Sequence, residues 1–242
     1  MIELFNDSTV DFFSRFGLTH PFWLVNMDTL IYTWIVLGFI LFFVVACNIA
    51  LRYNHDIISF GLITFVRTFK ELADQTLGFY SFAHTSFVLT LFTFIVLCNT
   101  IALIPGLEEP TSDLNTTLAL GITSFVYVQV NSMRVHGILG YISEFFQPFF
   151  FMMPLNIVGE LASIMSISFR LFGNIFGGLI IGKLYHSAIG GVFILEMIGI
   201  ISGLNMVLIL FLGVFTGVVQ AFVFSILSLT YLALGVQTED EE

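Results

Sequence analysis

Charged side chains are rare in this sequence. Asp, Glu, Lys and Arg make up 10% of its 242 residues, whereas hydrophobic residues make up 57% and the mean hydropathy is +1.00. Because soluble domains carry about a quarter charged residues, this composition excludes an ordinary soluble domain and predicts a polytopic membrane protein. Basic residues are the scarcest, seven Lys and Arg against 17 Asp and Glu, which gives a net charge of -10. The basic surface of a nucleic-acid-binding protein is therefore missing, and we expect no nucleic-acid partner.

Patterns typical of metal, redox and leader sequences are also missing. Cys47 and Cys98 lie singly in apolar segments, without the spacing of a metal site or a redox pair. We predict that both are buried structural cysteines and that the chain holds neither metal nor cofactor. The first residues include Glu3, Asp7 and Asp11 instead of a basic segment before an apolar core, so we do not expect a cleaved signal peptide.

Long apolar runs are abundant and predict an all-α membrane protein with about five transmembrane helices. After an outer N-terminal segment, residues 1–28, we predict peripheral helices within 29–147. Their spans are 29–51, 85–104 and 116–132, and residues 57–77 form an interfacial amphipathic helix, since apolar and charged residues alternate there at helical spacing.

Basic residues give the predicted orientation. The predicted spans place four basic residues on the same side of the membrane: Arg52, Arg67, Lys70 and Arg134. The positive-inside rule places that side, with segments 52–84 and 133–147, inside, and the N-terminus and the 105–115 loop outside.

The apolar stretches after residue 148 are too long for simple spans. Residues 154–185 and 192–233 each exceed the roughly 20 residues that cross a bilayer core. Each is either one strongly tilted helix or two short spans, and Gly199 and Ser202-Gly203 are plausible break points. Hydropathy leaves both alternatives open. We assign 148–235 to one unit, followed by an acidic tail, 236–242.

Arg170 is the only Lys or Arg between Arg134 and Lys183, and it lies inside an apolar run. A guanidinium at membrane depth is costly and stays charged, so it must face a water-filled path or a negative partner, which can belong to another chain. Spaced glycines such as Gly173 and Gly177 follow it. They allow close helix packing or leave room for water beside Arg170.

Several motifs carry a resemblance to a known family. The main ones are Arg170-Leu171-Phe172-Gly173-Asn174, Pro154-Leu155-Asn156 and Gly159-Glu160-Leu161 before it, Gln220-Ala221-Phe222-Val223-Phe224 and Tyr231-Leu232 after it, Asn26-Met27-Asp28-Thr29-Leu30, and Asp113-Leu114-Asn115-Thr116-Thr117. With these motifs, in this order and over nearly its whole length, the chain resembles subunit a of the F-type ATP synthase.

The resemblance implies a fold, an activity and partners. It implies that the last two helices are long, strongly tilted and packed against a ring of c subunits. It also implies two offset aqueous half-channels and an essential arginine, here Arg170, which together couple ion flow to ring rotation and ATP synthesis. The implied partners are the c-ring, peripheral stalk b-type subunits, the remaining ATP synthase subunits and membrane lipid. The implied location is the mitochondrial inner membrane or the bacterial plasma membrane. Alone, the chain should catalyse nothing, and whether protons or sodium ions move is open.

The resemblance also assigns a proton path. It places Asn174 and Gln220 beside Arg170, where they would orient it and nearby water, and Glu160 in the inner half-channel. The simpler alternatives are interhelical hydrogen bonds for the two amides and a surface carboxylate for Glu160.

The outer half-channel departs from the family pattern. Many members carry Glu or His at the positions of Leu179 and Gly213. Lys183 and His186 share a helical stripe with Leu179, and we expect His186 and Glu196 to relay protons in their place. An interfacial Lys and His and a turn carboxylate are the alternative.

Acidic residues of the outer loop are a further candidate group. Asp113 can gather protons at the outer mouth, although helix N-capping also explains it. Glu108 and Glu109 are expected to be solvated loop charges.

An alternative function is an anion-binding secondary transporter or channel that uses Arg170. The sequence gives this alternative little support, because it shows no inverted repeat and no second basic residue to complete an anion clamp.

Overall fold

The computed structural model describes residues 9–10, 25–52, 56–104, 107–144, 146, 149–189 and 204–236. Within these residues the chain forms six helices and one short antiparallel pairing, β1 (Thr9–Val10) with β2 (Val25–Asn26). The prediction of an all-α membrane protein is confirmed. The predicted relay residue Glu196, the break points Gly199 and Ser202-Gly203, and the acidic residues of the tail lie outside the described residues.

Helices α1 (Met27–Arg52) and α3 (Phe82–Thr100, extended by a 3-10 turn, Ile101–Leu103) coincide closely with the first two predicted spans. Most of α1 is exposed, including Leu41 and Phe42, as expected for a lipid-facing helix. By length and apolarity, four helical segments of the described residues can cross a membrane: Met27–Arg52, Phe82–Leu103, Phe150–Ala188 and Met206–Val236.

Helix α2 (Asp56–Leu77) has the amphipathic character that the sequence predicted. Phe69, Ala73 and Leu77, spaced four residues apart, are buried against α3 and the last helix. Arg67 and Glu71 form an exposed ion pair on another face, with Nε 2.8 Å from Oε1.

Helix α4 (Leu114–Glu144) consists of two helical segments that meet at Gly137, so the first segment ends a few residues after the predicted end at residue 132. Arg134 and His136, expected to follow the span, are instead helical. The helix changes direction at Gly137, whose φ of 72° is readily adopted only by glycine. α4 falls below the apolarity of the four spans because it carries residues such as Gln129 and Asn131. It packs between α5 and the last helix, which makes the predicted membrane crossing physically reasonable.

Helix α5 (Met153–Ile189) is continuous over 37 residues and has no break, so the first long stretch is one helix. The last helix, α6, joins Leu204–Leu208, a π-helical segment Ile209–Phe215, and Thr216–Val236. The Thr216 hydroxyl donates to the Phe211 carbonyl at 2.9 Å, five residues earlier, as the wider π turn permits. The described part of the second stretch is thus also one unbroken helix.

Three buried clusters hold the bundle together. One joins α2, α3, α4 and α6, and a small one joins α1 to α3 through Val36, Cys98 and Ile101. The third joins α3, α5 and α6 through Leu91, Ile95, Ile167, Leu171, Ile175, Ala221 and Phe224. We call the end that carries α2, the start of α5 and the end of α6 the inner end, following the predicted orientation. The end that carries the 107–113 loop is the outer end.

Candidate functional site

Arg170 lies near the middle of α5 and faces away from the bundle. Its neighbour Leu171 is fully buried, and Ile175, one turn further, is 4% exposed against the α6 residues of the same cluster. This packing fixes the rotation of α5, so the Arg170 side chain is exposed. Among the described residues no carboxylate forms a salt bridge with it. A charge in this position is available to a partner outside the chain.

Asn174 and Gln220, predicted to lie beside Arg170, are brought together. Asn174 Nδ2 donates to Gln220 Oε1 at 2.6 Å, which joins α5 to α6 one turn from Arg170. Gln220 is 5% exposed, so its amide is held inside the helix interface. The interhelical hydrogen bond expected as the simpler role is therefore present, one helical turn along α5 from Arg170.

The glycines after Arg170 fall into two kinds. A Cβ atom at Gly173 or Gly177 would meet open space, whereas one at Gly178 would contact the Leu212 backbone at 3.5 Å. Gly178 therefore serves close packing against α6. Gly173 and Gly177 leave the surface beside Arg170 open.

A cavity of about 470 Å³, lined by both polar and apolar residues, opens at the inner end, and Glu160 lies in its wall. Gln129 Nε2 donates to Glu160 Oε2 at 2.9 Å, and the Tyr141 hydroxyl donates to Gln129 Oε1. Tyr141 lies beyond the change of direction at Gly137, which brings this part of α4 to the cavity. The arrangement holds the Glu160 carboxylate at a defined point of a space that water can occupy.

Serine hydroxyls continue the polar lining from the cavity toward the middle of α5. Ser228 Oγ donates to Ser124 Oγ at 3.2 Å, and both residues line the cavity. Ser168, two residues before Arg170, is buried, and its hydroxyl has no partner among the described residues. A Cβ atom on Gly121 would lie 2.1 Å from that hydroxyl, so glycine is required for α4 to approach α5 here.

At the outer end, the predicted residues do not converge on Arg170. Lys183 Nζ lies 3.0 Å from Glu108 Oε1 in an exposed ion pair. Lys183 is 13 residues from Arg170, about 20 Å along a helix, so no second basic side chain forms an anion clamp with Arg170 within the described residues. His186 is exposed further out on α5. Asp113 accepts the backbone N–H of Asn115 at 3.0 Å and so caps α4, as one of its two predicted roles requires.

A buried hydrogen-bonded chain at the outer end was not foreseen from the sequence. Thr111 Oγ1 donates to Asn99 Oδ1 at 2.6 Å, and Asn99 Nδ2 donates to the Gly217 carbonyl at 2.9 Å. Asn99 is 1% exposed and Thr111 is fully buried. The chain links the outer loop to α6 at a position three residues before Gln220. A polar Asn inside an otherwise apolar span was the available signal.

Glu109 differs from the solvated loop charge that we expected. It is half-buried at the start of the 3-10 turn Pro110–Ser112. Burial raises the pKa of its carboxyl to about 7; the negative charge of Glu108 adds to this rise, whereas its own backbone N–H and Lys183 oppose it. Glu109 is thus poised to exchange protons near neutral pH.

Metal ligands do not assemble in the described part of the chain, where no three His, Cys, Asp or Glu side chains converge. Fold and site together define a helical membrane protein with an exposed arginine near the middle of helix α5, a hydrogen-bonded amide pair one turn away, and a cavity at the inner end.

Comparison with known proteins identifies the family. Residues 30–233 match the family model described as ATP synthase A chain. ATP synthase subunit a of Moorella thermoacetica is 36% identical over 206 residues, covering 85% of this chain and 89% of the relative. ATP synthase subunit a 2 of Acaryochloris marina is 31% identical over 218 residues, covering 87% and 86%. ATP synthase subunit a 1 of Chlorobaculum parvum is 38% identical over 156 residues, covering 64% and 63%. The chain belongs to the ATP synthase subunit a family.

Proposed function

We propose that this chain is the proton-translocating stator subunit of an F-type ATP synthase, and that Arg170 faces the membrane carboxylates of a ring of c subunits. The observation that carries the proposal is the exposed guanidinium at the middle of α5, which has no carboxylate partner among the described residues. A buried arginine paired within the chain would instead support a structural role. Membership of the family supports a place in the membrane sector of the complex.

The chemistry of the guanidinium explains how it would couple ion flow to rotation. A permanent cation favours the ionised form of a carboxylate that passes it, so each ring carboxylate releases its proton as it approaches Arg170. The same charge repels hydronium that would cross directly between the two half-channels. Proton flow then requires the ring to turn, and each proton contributes about 2.3 kcal/mol per 100 mV of membrane potential.

The inner half of the path is assigned to the cavity around Glu160. The cavity is large enough to hold water, and Gln129 holds the Glu160 carboxylate inside it by a hydrogen bond. Asn174 and Gln220 would orient the guanidinium and water between this cavity and the ring. For the outer half, Lys183, His186, Glu196 and Asp113 remain proposed participants.

A ring of c subunits fits the surface around Arg170. Apolar side chains on the same side of the bundle are exposed, among them Phe169 and Ile180 on α5 and Val219 and Phe222 on α6. Gly173 and Gly177 let another helix approach this surface closely. The b-type stalk and the remaining subunits are proposed partners on family grounds.

Substitution of Arg170 tests the proposal. We expect Arg170→Ala, in assembled ATP synthase, to reduce ATP-driven proton uptake into vesicles to background. Arg170→Lys should fail as well, because an ammonium can lose its proton in an apolar site. Arg134→Ala, which removes an exposed arginine of α4, is the matched control and should pump normally.

Normal pumping by either Arg170 variant would refute the proposal. Native electrophoresis with staining for ATP hydrolysis gives an independent check, since the chain should migrate with a large ATPase. Migration as a free small protein would favour the anion transporter instead.

A further inference from the structure

We propose that Glu109 is the carboxyl group that takes up protons at the outer end of the path. This inference rests on the proposed function and names a residue for the outer half of the proposed proton path. It differs from the expectation that Glu109 is an ordinary solvated loop charge.

The first observation is where the loop lies. The turn Pro110–Ser112 packs against α1, α3, α4 and α5, and Pro110 and Thr111 are fully buried. Glu109 immediately precedes this turn and is itself half-buried. It therefore stands where the chain passes from outer water into the helix bundle.

The second observation is how the two adjacent carboxylates differ. Glu108 forms the ion pair with Lys183 and is exposed, with 55% of its side chain accessible. Glu109 forms no salt bridge with any described residue. A partly desolvated carboxylate without an ion pair is the one of the two that can accept a proton more readily.

The third observation is the connection from this loop to the arginine. Thr111, two residues after Glu109, starts the buried chain through Asn99 to the Gly217 carbonyl of α6. Gln220 lies three residues further along α6 and bonds Asn174 beside Arg170. The polar groups at the outer end thus lead from the Glu109 loop toward the site.

The charged groups around Glu109 set its titration. Glu108 in the same loop raises its pKa and Lys183 of α5 lowers it, on top of the larger rise caused by burial, to about 7. Asp28 of α1, Asp113 of α4 and His186 of α5 do not contribute. Among the described residues of α3, the titratable side chain at the outer end is the thiol of Cys98. A group of this kind would bind a proton from the outer solution and release it to water on the path toward the ring, returning to carboxylate.

Proton flux measured against outer pH tests the proposal. In membrane vesicles that contain the assembled complex, we expect Glu109→Gln to lower proton flux at least about tenfold, because an amide cannot take up and release the proton. The matched control is Glu108→Gln, one residue earlier, which should retain flux. Wild-type flux should fall as the outer pH rises through about 7, since less of the Glu109 carboxyl is then protonated. This step should be absent in Glu109→Gln.

The two neighbouring charges sharpen the test. Loss of the negative charge in Glu108→Gln should move the midpoint to lower pH, and loss of the positive charge in Lys183→Gln should move it to higher pH. Unchanged flux with an unchanged pH profile in Glu109→Gln would overturn the inference. If that variant does not assemble, Glu109→Asp must shift the midpoint, and an unshifted midpoint would overturn it equally.

The outcome is separable from that of the proposed function. Normal flux in Glu109→Gln together with lost flux in Arg170→Ala would leave the stator role intact and remove only Glu109. Normal flux in both variants would reject both proposals.

Discussion

The inner and outer ends of α5 present polar groups in different ways. At the inner end, Glu160 lies in the wall of a cavity of about 470 Å³ and is held by a side chain of α4. At the outer end, Asn99 and Thr111 fill the space between helices with a buried hydrogen-bonded chain, and the carboxyl of Glu109 lies at its margin. One end is open and the other is closely packed.

This difference indicates that the two halves of the proposed proton path need not be built alike. A cavity allows water to reach a fixed carboxylate, so function there depends mainly on the carboxylate itself. A closely packed end leaves little room, so function there depends on helix spacing as well as on a titrating group. The two ends should therefore respond differently to substitution.

The largest effect is expected from the open end. Glu160→Gln keeps the size of the side chain but removes the group that can bind and release a proton, so we expect proton pumping to fall about a hundredfold. The complex should assemble normally. Glu71→Gln, which changes an exposed carboxylate of α2 at the same end, is the control and should pump like wild type. Equal pumping by the two variants would exclude the cavity as the inner half of the path.

Much of the fold was predictable because it depends on local patterns. Apolar length located α1 and α3, and alternation of charged and apolar residues located α2. The end of α4 was predicted too early, at residue 132, because Arg134 and His136 resemble an inner boundary. The first helical segment runs on to Gly137, whose backbone is not helical, and a second segment continues from there to Glu144.

Several side-chain contacts could not be predicted. Tyr141 reaches Gln129 of the same helix because α4 changes direction at Gly137, and Thr111 reaches Asn99 only once the outer loop packs against α3. Sequence spacing carries no information on these contacts, although a polar residue inside an apolar span does mark a position to examine. The half-burial of Glu109 likewise depends on a loop whose packing follows from the assembled bundle.

A smaller effect is expected at the outer end, where a substitution should lower the stability of the complex. In Gly217→Ala the new Cβ would lie 2.7 Å from the Asn99 Cβ, which is fixed to the α3 backbone. We expect a loss of about 1–3 kcal/mol of stability. The check is the temperature at which the purified complex loses this subunit.

Gly213→Ala is the matched control on the same helix. A Cβ atom there meets nothing within 4 Å, and alanine favours a helix over glycine by up to about 1 kcal/mol. This variant should be neutral or slightly stabilised. If both variants behaved alike, the description of the outer end as closely packed would be wrong.

The smallest effect is expected at the inner end, from a change to Tyr141. Tyr141→Phe removes the hydroxyl that donates to Gln129 but leaves the bond from Gln129 to Glu160, so the carboxylate is less firmly oriented and remains present. Loss of one such bond is worth about 1 kcal/mol, or about a fivefold fall in pumping. Tyr80→Phe, which removes an exposed hydroxyl in the loop after α2, should have no effect.

A double variant decides whether Tyr141 acts through Gln129. If it does, Tyr141→Phe should cause no further loss once Gln129→Leu has removed the acceptor, because the two residues then share one effect on Glu160. Additive losses would mean that Tyr141 serves the cavity independently. In that case two separate contacts from α4 would shape the cavity. The residues around Glu160 would then be held more firmly than the volume of the cavity suggests.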